Sequence, residues 1–176
     1  MQTGESTGAQ VRGQAVPFKR ILLVDDDVNV LQVNAEVLSL FGYQTEAVED
    51  GAVAWRTLQA NRYDLLITDN DMPNISGVEL VKKLRLARMT LPVVLVSEEI
   101  PTAELDRTLQ LAATLLKPFS TDDLLRTVQQ VLRASEGAYR RSRIAFATMK
   151  RAAGKIEPLR PGASMNAPTT FGSTVT

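Results

Sequence analysis

Five short apolar runs punctuate the chain, and each is followed by a stretch with helical spacing. The runs are ILLV (21–24), the weaker YQTEAV (43–48), LLIT (65–68), VVLV (93–96) and TLL (114–116). Three of them are continuous and rich in Leu or β-branched residues, as strands covered on both faces must be. Residues 28–41 carry Leu31, Ala35 and Leu38 at helical spacing and stop at Gly42, a good left-handed C-terminal residue. Asp50 opens the next helix, through Trp55 and Leu58, and Ser76-Gly-Val-Glu79 is a capping-box pattern ahead of Leu80, Val81 and Leu84. Pro101 starts a fourth, with Leu105 and Leu109, and Ser120-Thr-Asp-Asp123 opens a fifth, carrying Leu124, Leu125, Val128, Val131 and Leu132. Strand and helix alternating five times imply a parallel sheet with helices on both faces.

In such sheets ligands bind beyond the carboxyl ends of the strands. The four strong runs end there in Asp25-Asp26-Asp27, in Asp69, in Ser97 and in Lys117-Pro118. Neighbouring strands lie about 4.8 Å apart, so these side chains can converge on one pocket. Crowded carboxylates repel unless a cation joins them, and hard oxygen ligands are what Mg²⁺ prefers. With the metal in place one carboxylate can attack phosphorus, while the metal and a lysine neutralise the phosphoryl oxygens. Ser97 adds a short donor for the same group.

Composition narrows the setting. The chain has 176 residues, 44% hydrophobic and 23% charged, which fits one globular domain. No apolar run reaches the roughly 18 to 20 residues of a membrane span, and no secretory signal opens the sequence. Cysteine is absent, which excludes disulfides and fits a cytoplasmic protein. Histidine is absent too, so any step that needs imidazole must borrow it from a partner.

The zero net charge hides a split. Residues 17–135 carry 12 Lys and Arg against 17 Asp and Glu, a net of −5, and residues 136–176 carry 7 against 2, a net of +5. Residues 1–16 read as a flexible lead-in, and residues 136–176 as a basic tail, partly helical and then disordered. The stretch 139–151 (YRRSRIAFATMKR) has helical propensity but a poor apolar stripe. Its plainest reading is a solvated extension of the last helix, and its alternative is docking to an acidic surface.

The order VDD after the first strand, D-x-x-M-P-x-x-x-G after the third, Ser after the fourth and KPF after the fifth resembles the receiver domain of two-component response regulators. The resemblance covers residues 17–135 and implies the flavodoxin-like (βα)5 fold, a three-layer α/β/α sandwich around a five-stranded parallel sheet. It implies that Asp69 accepts a phosphoryl group from a sensor histidine kinase or a histidine phosphotransfer protein. It implies Mg²⁺ held by Asp25, Asp26, Asp69 and the main-chain carbonyl of Asp71. Ser97 then matches the switch hydroxyl, Lys117 the lysine that pairs with phosphoryl oxygens, and Pro118 a cis proline. Gly77 sits at the turn into the third helix, where a conformation closed to other residues is expected. A metal pair one residue later, Asp26 with Asp27, is the competing register.

The resemblance also implies a switch rather than a turnover enzyme, with output to a downstream protein through the face of the fourth helix, fifth strand and fifth helix, and a homodimer among the allowed partners. The roughly 40 residues after the domain are too few for a winged-helix effector, so no DNA-binding domain is expected. Thr114 stands where the family commonly has an aromatic residue, and Glu98 follows Ser97 where a small residue is common. Two other readings compete. One is a haloacid-dehalogenase-type phosphatase, which Asp69-Asn70-Asp71 imitates, although that family places its nucleophile after the first strand. The other is a degenerate receiver that binds constitutively. Taken alone, Asp69 would be an ordinary turn aspartate, and Trp55, Phe41 and Phe119 read as packing residues.

Overall fold

A computed structural model of the chain describes residues 18–153, with side chains to residue 147. The expected lead-in at 1–16 and the tail beyond residue 153 lie outside the described residues. The element order is β1 (Arg20–Val24), α1 (Val28–Leu40), β2 (Gln44–Val48), α2 (Gly51–Ala60), β3 (Leu65–Asp69), α3 (Gly77–Leu86), β4 (Val93–Ser97), α4 (Ala103–Leu109), β5 (Ala113–Leu116) and α5 (Thr121–Ala153). All strands pair in parallel, in the order β2-β1-β3-β4-β5. This is the three-layer sandwich that the alternation of runs implied.

Side chains alternate across each strand, which divides the core in two. Ile21, Leu23, Leu65, Ile67, Val94 and Val96 pack with Leu31 and Leu38 of α1 and with Leu124, Val128 and Val131 of α5. Leu22, Val24, Leu66 and Val93 face the other way, onto Leu58 of α2, Leu80 and Leu84 of α3, and Leu109 of α4. The middle strands β1, β3 and β4 are buried on both faces, which is why they read as unbroken apolar runs. The edge strand β2 is only half-buried and mixes Gln, Thr and Glu with its apolar positions.

The helix starts follow their caps. Asp27 accepts from the N–H groups of Asn29 and Val30, Asp50 from those of Ala52 and Val53, and Thr102 from that of Leu105. Each satisfies donors that a helix start leaves without partners. Ser76 and Glu79 form the reciprocal capping box. Gly42, at φ 86°, follows the α1 C-cap Phe41 in the left-handed conformation. Trp55 and Phe119 do pack against the two cores, but Phe41 is 59% exposed and is not a packing residue.

Helix α5 is longer than one domain needs: it runs unbroken through 33 residues to Ala153. The chain divides into two units, one ending at Gly137 and the other beginning at Ala138. The first holds the sheet and the site described next. In the second, Tyr139, Arg140, Arg141, Arg143 and Phe146 are exposed.

Candidate phosphoryl-acceptor site

Every strong strand ends on the same edge of the sheet, and the register sets how far each reaches. Asp69 pairs with Val96 and Ser97 with Leu116, so the ends of β3, β4 and β5 step around one cleft. Asp25 follows β1 directly and is anchored by its own N–H donating to the Val48 carbonyl at 3.3 Å. Asp69 is 2% exposed, and Asp25 and Ser97 are each 7% exposed. A sheet interior this apolar places carboxylates at its edge only where something compensates the loss of water.

Part of that compensation is Lys117. Its Nζ lies 2.8 Å from Asp69 Oδ1. Among the described residues no other group donates to Oδ1, which is buried and pairs with this ammonium alone. The other oxygen, Oδ2, accepts the N–H of Asp71 at 3.1 Å. Burial works against the charged form of Lys117, but Asp69, with Asp25 and Asp71 behind it, outweighs burial and holds the ammonium above its ordinary pKa. The carboxyl of Asp25 is pushed up, first by burial and then by the charges of Asp69 and Asp26. The N–H of Asp27, bonded to Asp25 Oδ1 at 3.0 Å, and the charge of Lys117 pull the other way.

Asp25, Asp26 and Asp69 each offer one oxygen, and the three lie within 4.8 Å of one another. Two buried carboxylates and the exposed one of Asp26, crowded together as mutually repelling hard oxygens, fit a small divalent cation such as Mg²⁺. Asp27 takes no part in this group, because its carboxylate is used as the α1 cap. The side chain of Asp71 is exposed, accepts from Asn70 Nδ2 at 3.1 Å and is also outside the group; only its backbone carbonyl could contribute a ligand.

The remaining expected residues take their places around this centre. The hydroxyl of Ser97 accepts the N–H of Glu99 at 3.3 Å, and its carbonyl accepts the N–H of Lys117 at 2.9 Å, which ties the ends of β4 and β5 together. The Lys117–Pro118 peptide is cis. Thr114 is half-buried on β5, opposite Leu95. Glu98 is exposed.

Gly77 has a different reason from the one expected. Its backbone is not in the left-handed region; instead, a Cβ there would run into the Asp69 carbonyl oxygen and come within 2.9 Å of Leu95 Cδ1. Close approach, not conformational freedom, requires the glycine. One contributor went unnoticed in the sequence. The N–H of Asn70 donates to the Val96 carbonyl at 2.8 Å, while its own carbonyl accepts from the N–H of Gly77 at 3.2 Å. Asn70 thereby fixes the loop leaving Asp69. An amide between two aspartates is the only trace this leaves in the sequence.

Comparison with known proteins agrees with this geometry. The family model described as "Response regulator receiver domain" matches residues 21–129. The response regulator MprA of Mycobacterium ulcerans is 33% identical over 119 residues, 66% of this chain and 51% of that protein. This chain thus spans about half the length of such curated relatives. Among solved structures, the chemotaxis response regulator CheY4 of Vibrio cholerae aligns with a TM-score of 0.61 and 30% identity, covering 65% of this chain and 98% of its own. The response regulator TrrA of Thermotoga maritima, solved in complex with Mg²⁺-BeF, aligns with a TM-score of 0.59 and 28% identity over 65% of this chain and 99% of its own.

Proposed function

This chain belongs to the response regulator receiver family, and from that premise we propose that Asp69 is its phosphoryl acceptor. The observation that carries this reading is Asp69 Oδ1: buried, held 2.8 Å from Lys117 Nζ with no other donor, and grouped with Asp25 and Asp26. An oxygen in that state is desolvated and oriented, and its one partner is a cation that can pass to the incoming phosphoryl oxygens.

In the proposed step Oδ1 attacks the phosphorus of a phosphohistidine on a sensor histidine kinase or a histidine phosphotransfer protein. A P–O bond forms to Asp69, the P–N bond breaks, and its electron pair leaves with the imidazole, which takes up a proton. The donor supplies the imidazole that this chain lacks. Lys117 moves from the carboxylate to the phosphoryl oxygens, keeping its charge paired throughout. Ser97 turns its hydroxyl from the Glu99 N–H toward the same group. Mg²⁺, held by Asp25, Asp26, Asp69 and the Asp71 carbonyl, would neutralise charge on the transferring phosphoryl group.

Receiver domains are signalling switches, and the phosphatase alternative is not favoured: the acid pair follows β1 and the nucleophile β3, the reverse of that family's order. Output through the face of α4, β5 and α5 is supported by Leu116 at the end of β5, which is 39% exposed and opposite Ser97 in register. Among the described residues no helix is long and apolar enough to cross a membrane.

The test is incubation with Mg²⁺ and acetyl phosphate, read by intact mass beside Asp69→Asn. A metal-dependent gain of one phosphoryl group by the parent and none by the variant is the expected outcome. An adduct of equal yield on Asp69→Asn would overturn the assignment. If acetyl phosphate gives no adduct on the parent, a phosphorylated histidine donor decides between a kinase-restricted acceptor and a degenerate one.

A further inference from the structure

Between α1 and the edge strand β2 lies an open groove of about 530 Å³. Val28, Leu31, Ala35 and Ala47 supply the apolar part of its lining, and Glu36 and Glu49 belong to the polar part. Among the described residues neither glutamate is in an ion pair. The segment that forms it is acidic: from residue 21 to residue 55 the sequence has seven acids and no Lys or Arg, and of these acids Glu46 is paired with Arg20. Such a field attracts a basic partner and repels an acidic one.

The same chain contains a segment of the opposite character. Residues 139–151 hold five Lys and Arg and no acid. Tyr139 and Phe146 are 65% and 69% exposed and lie seven residues apart on an unbroken helix, hence on one face and about 10.5 Å apart. The residues of α1 that line the groove recur every three or four positions from Val28 to Ser39, a length of about 16 Å. Two aromatic side chains at that spacing fit along it, with Arg140 and Arg143 beside them for the two glutamates. An amphipathic helix laid into a groove is a recurrent mode of recognition.

We propose that the groove between α1 and β2 docks the basic helical segment, residues 139–151, of a second copy of this chain. The contact is heterologous, groove to helix, so two copies can exchange segments reciprocally or further copies can add in line. None of its contact residues is assigned to the phosphoryl-acceptor site; Asp25 and Asp26 add only to the acidic field, and the proposal stands apart from that reading.

The test is sedimentation of the full chain from low-micromolar to submillimolar concentrations, at low and high salt. The expected result is a mass that grows with concentration and a self-association weakened by salt. Arg140→Glu with Arg143→Glu, and separately Glu36→Arg with Glu49→Arg, should each weaken association by about tenfold or more. All four changes together should restore most of it, since the swapped charges are again complementary. The four positions are exposed, so circular dichroism and the adduct on Asp69 should be unchanged in every variant. A mass that stays monomeric throughout, association indifferent to the groove reversal, or binding of the basic segment to anionic vesicles or nucleic acid without self-association would overturn the proposal.

Discussion

The Nζ of Lys117 and the Oδ1 of Asp69 lie 2.8 Å apart, although β3 and β5 are separated by the whole of β4. The pair therefore bridges two strands that never hydrogen-bond to each other, and it brings a cation to a group of three carboxylates. Removing that cation leaves Asp69 and Asp25 buried with their repulsion unrelieved. Lys117→Met should lower stability by about 1–3 kcal/mol at neutral pH, the lower end reflecting solvent around the lysine. Because Mg²⁺ would supply the missing charge, adding it should recover more stability in the variant than in the parent. Urea unfolding of both proteins, with and without Mg²⁺, measures the difference. Equal responses to the metal would separate Lys117 from the metal group.

Gly77 and Gly42 should respond differently to alanine. At Gly77 the added carbon meets backbone, the carbonyl of Asp69, and something must shift. The expected cost of Gly77→Ala is about 1–3 kcal/mol, with a slower adduct on Asp69 because the end of β3 is displaced. At Gly42 there is open space, and the cost is only the left-handed backbone, about 1 kcal/mol, with adduct formation unchanged. Denaturant midpoints and adduct rates for the two variants test the contrast.

What the sequence made legible follows from what it records. The runs at 21–24, 65–68 and 93–96 are apolar because both faces of β1, β3 and β4 are covered, so strands and their polar ends could be read directly. Asp25, Asp69, Ser97 and Lys117 were visible for the same reason: each breaks an apolar run. Residues whose role lies in three-dimensional approach were not. Gly77 looks like any turn glycine until the Asp69 carbonyl is seen against it. Which of Asp25 and Asp27 joins the acid group depends on where α1 starts, and three identical neighbours cannot say. The continuation of α5 through 139–151 was legible from helical propensity alone, since its last turns lack the apolar stripe that marked its first.

The helix caps make a pH-dependent contribution of determinable sign. Ser120 donates to Asp123 from both its hydroxyl, at 2.6 Å, and its N–H, at 3.1 Å, and these bonds, with Arg126 nearby, hold the carboxyl below its ordinary pKa of 3.8. A carboxyl depressed by folding stabilises the fold above its unfolded pKa, and that contribution is lost as pH falls through 3.8 toward the folded value. Asp123→Asn should therefore have a lower urea midpoint than the parent at pH 6, and the gap should close on acidification below about pH 4. A gap that is constant across the acid range would show that the charge on Asp123 is not what stabilises the start of α5.

Arg85 carries the last expectation. Its guanidinium donates to the carbonyls of Leu109 at 2.7 Å, Met89 at 2.8 Å, Leu91 at 3.1 Å and Gln110 at 3.2 Å. Burial without an acid partner lowers its pKa, yet the five fixed donors of a guanidinium remain charged and match four carbonyls that no helix or strand bond reaches. The link matters because α4 has only seven residues and one buried side chain, Leu109, so Arg85 adds much of what holds its C-terminal end to α3. A lysine has one nitrogen and cannot span four acceptors. Arg85→Lys should cost about 2–4 kcal/mol, most of it from carbonyls left without a donor. Hydrogen exchange should speed up in α4 and in the loop before β4 more than in β1 or β3. Uniform acceleration across the domain would mean that Arg85 supports global stability alone, and unchanged exchange in α4 would mean that Leu109 suffices to hold it.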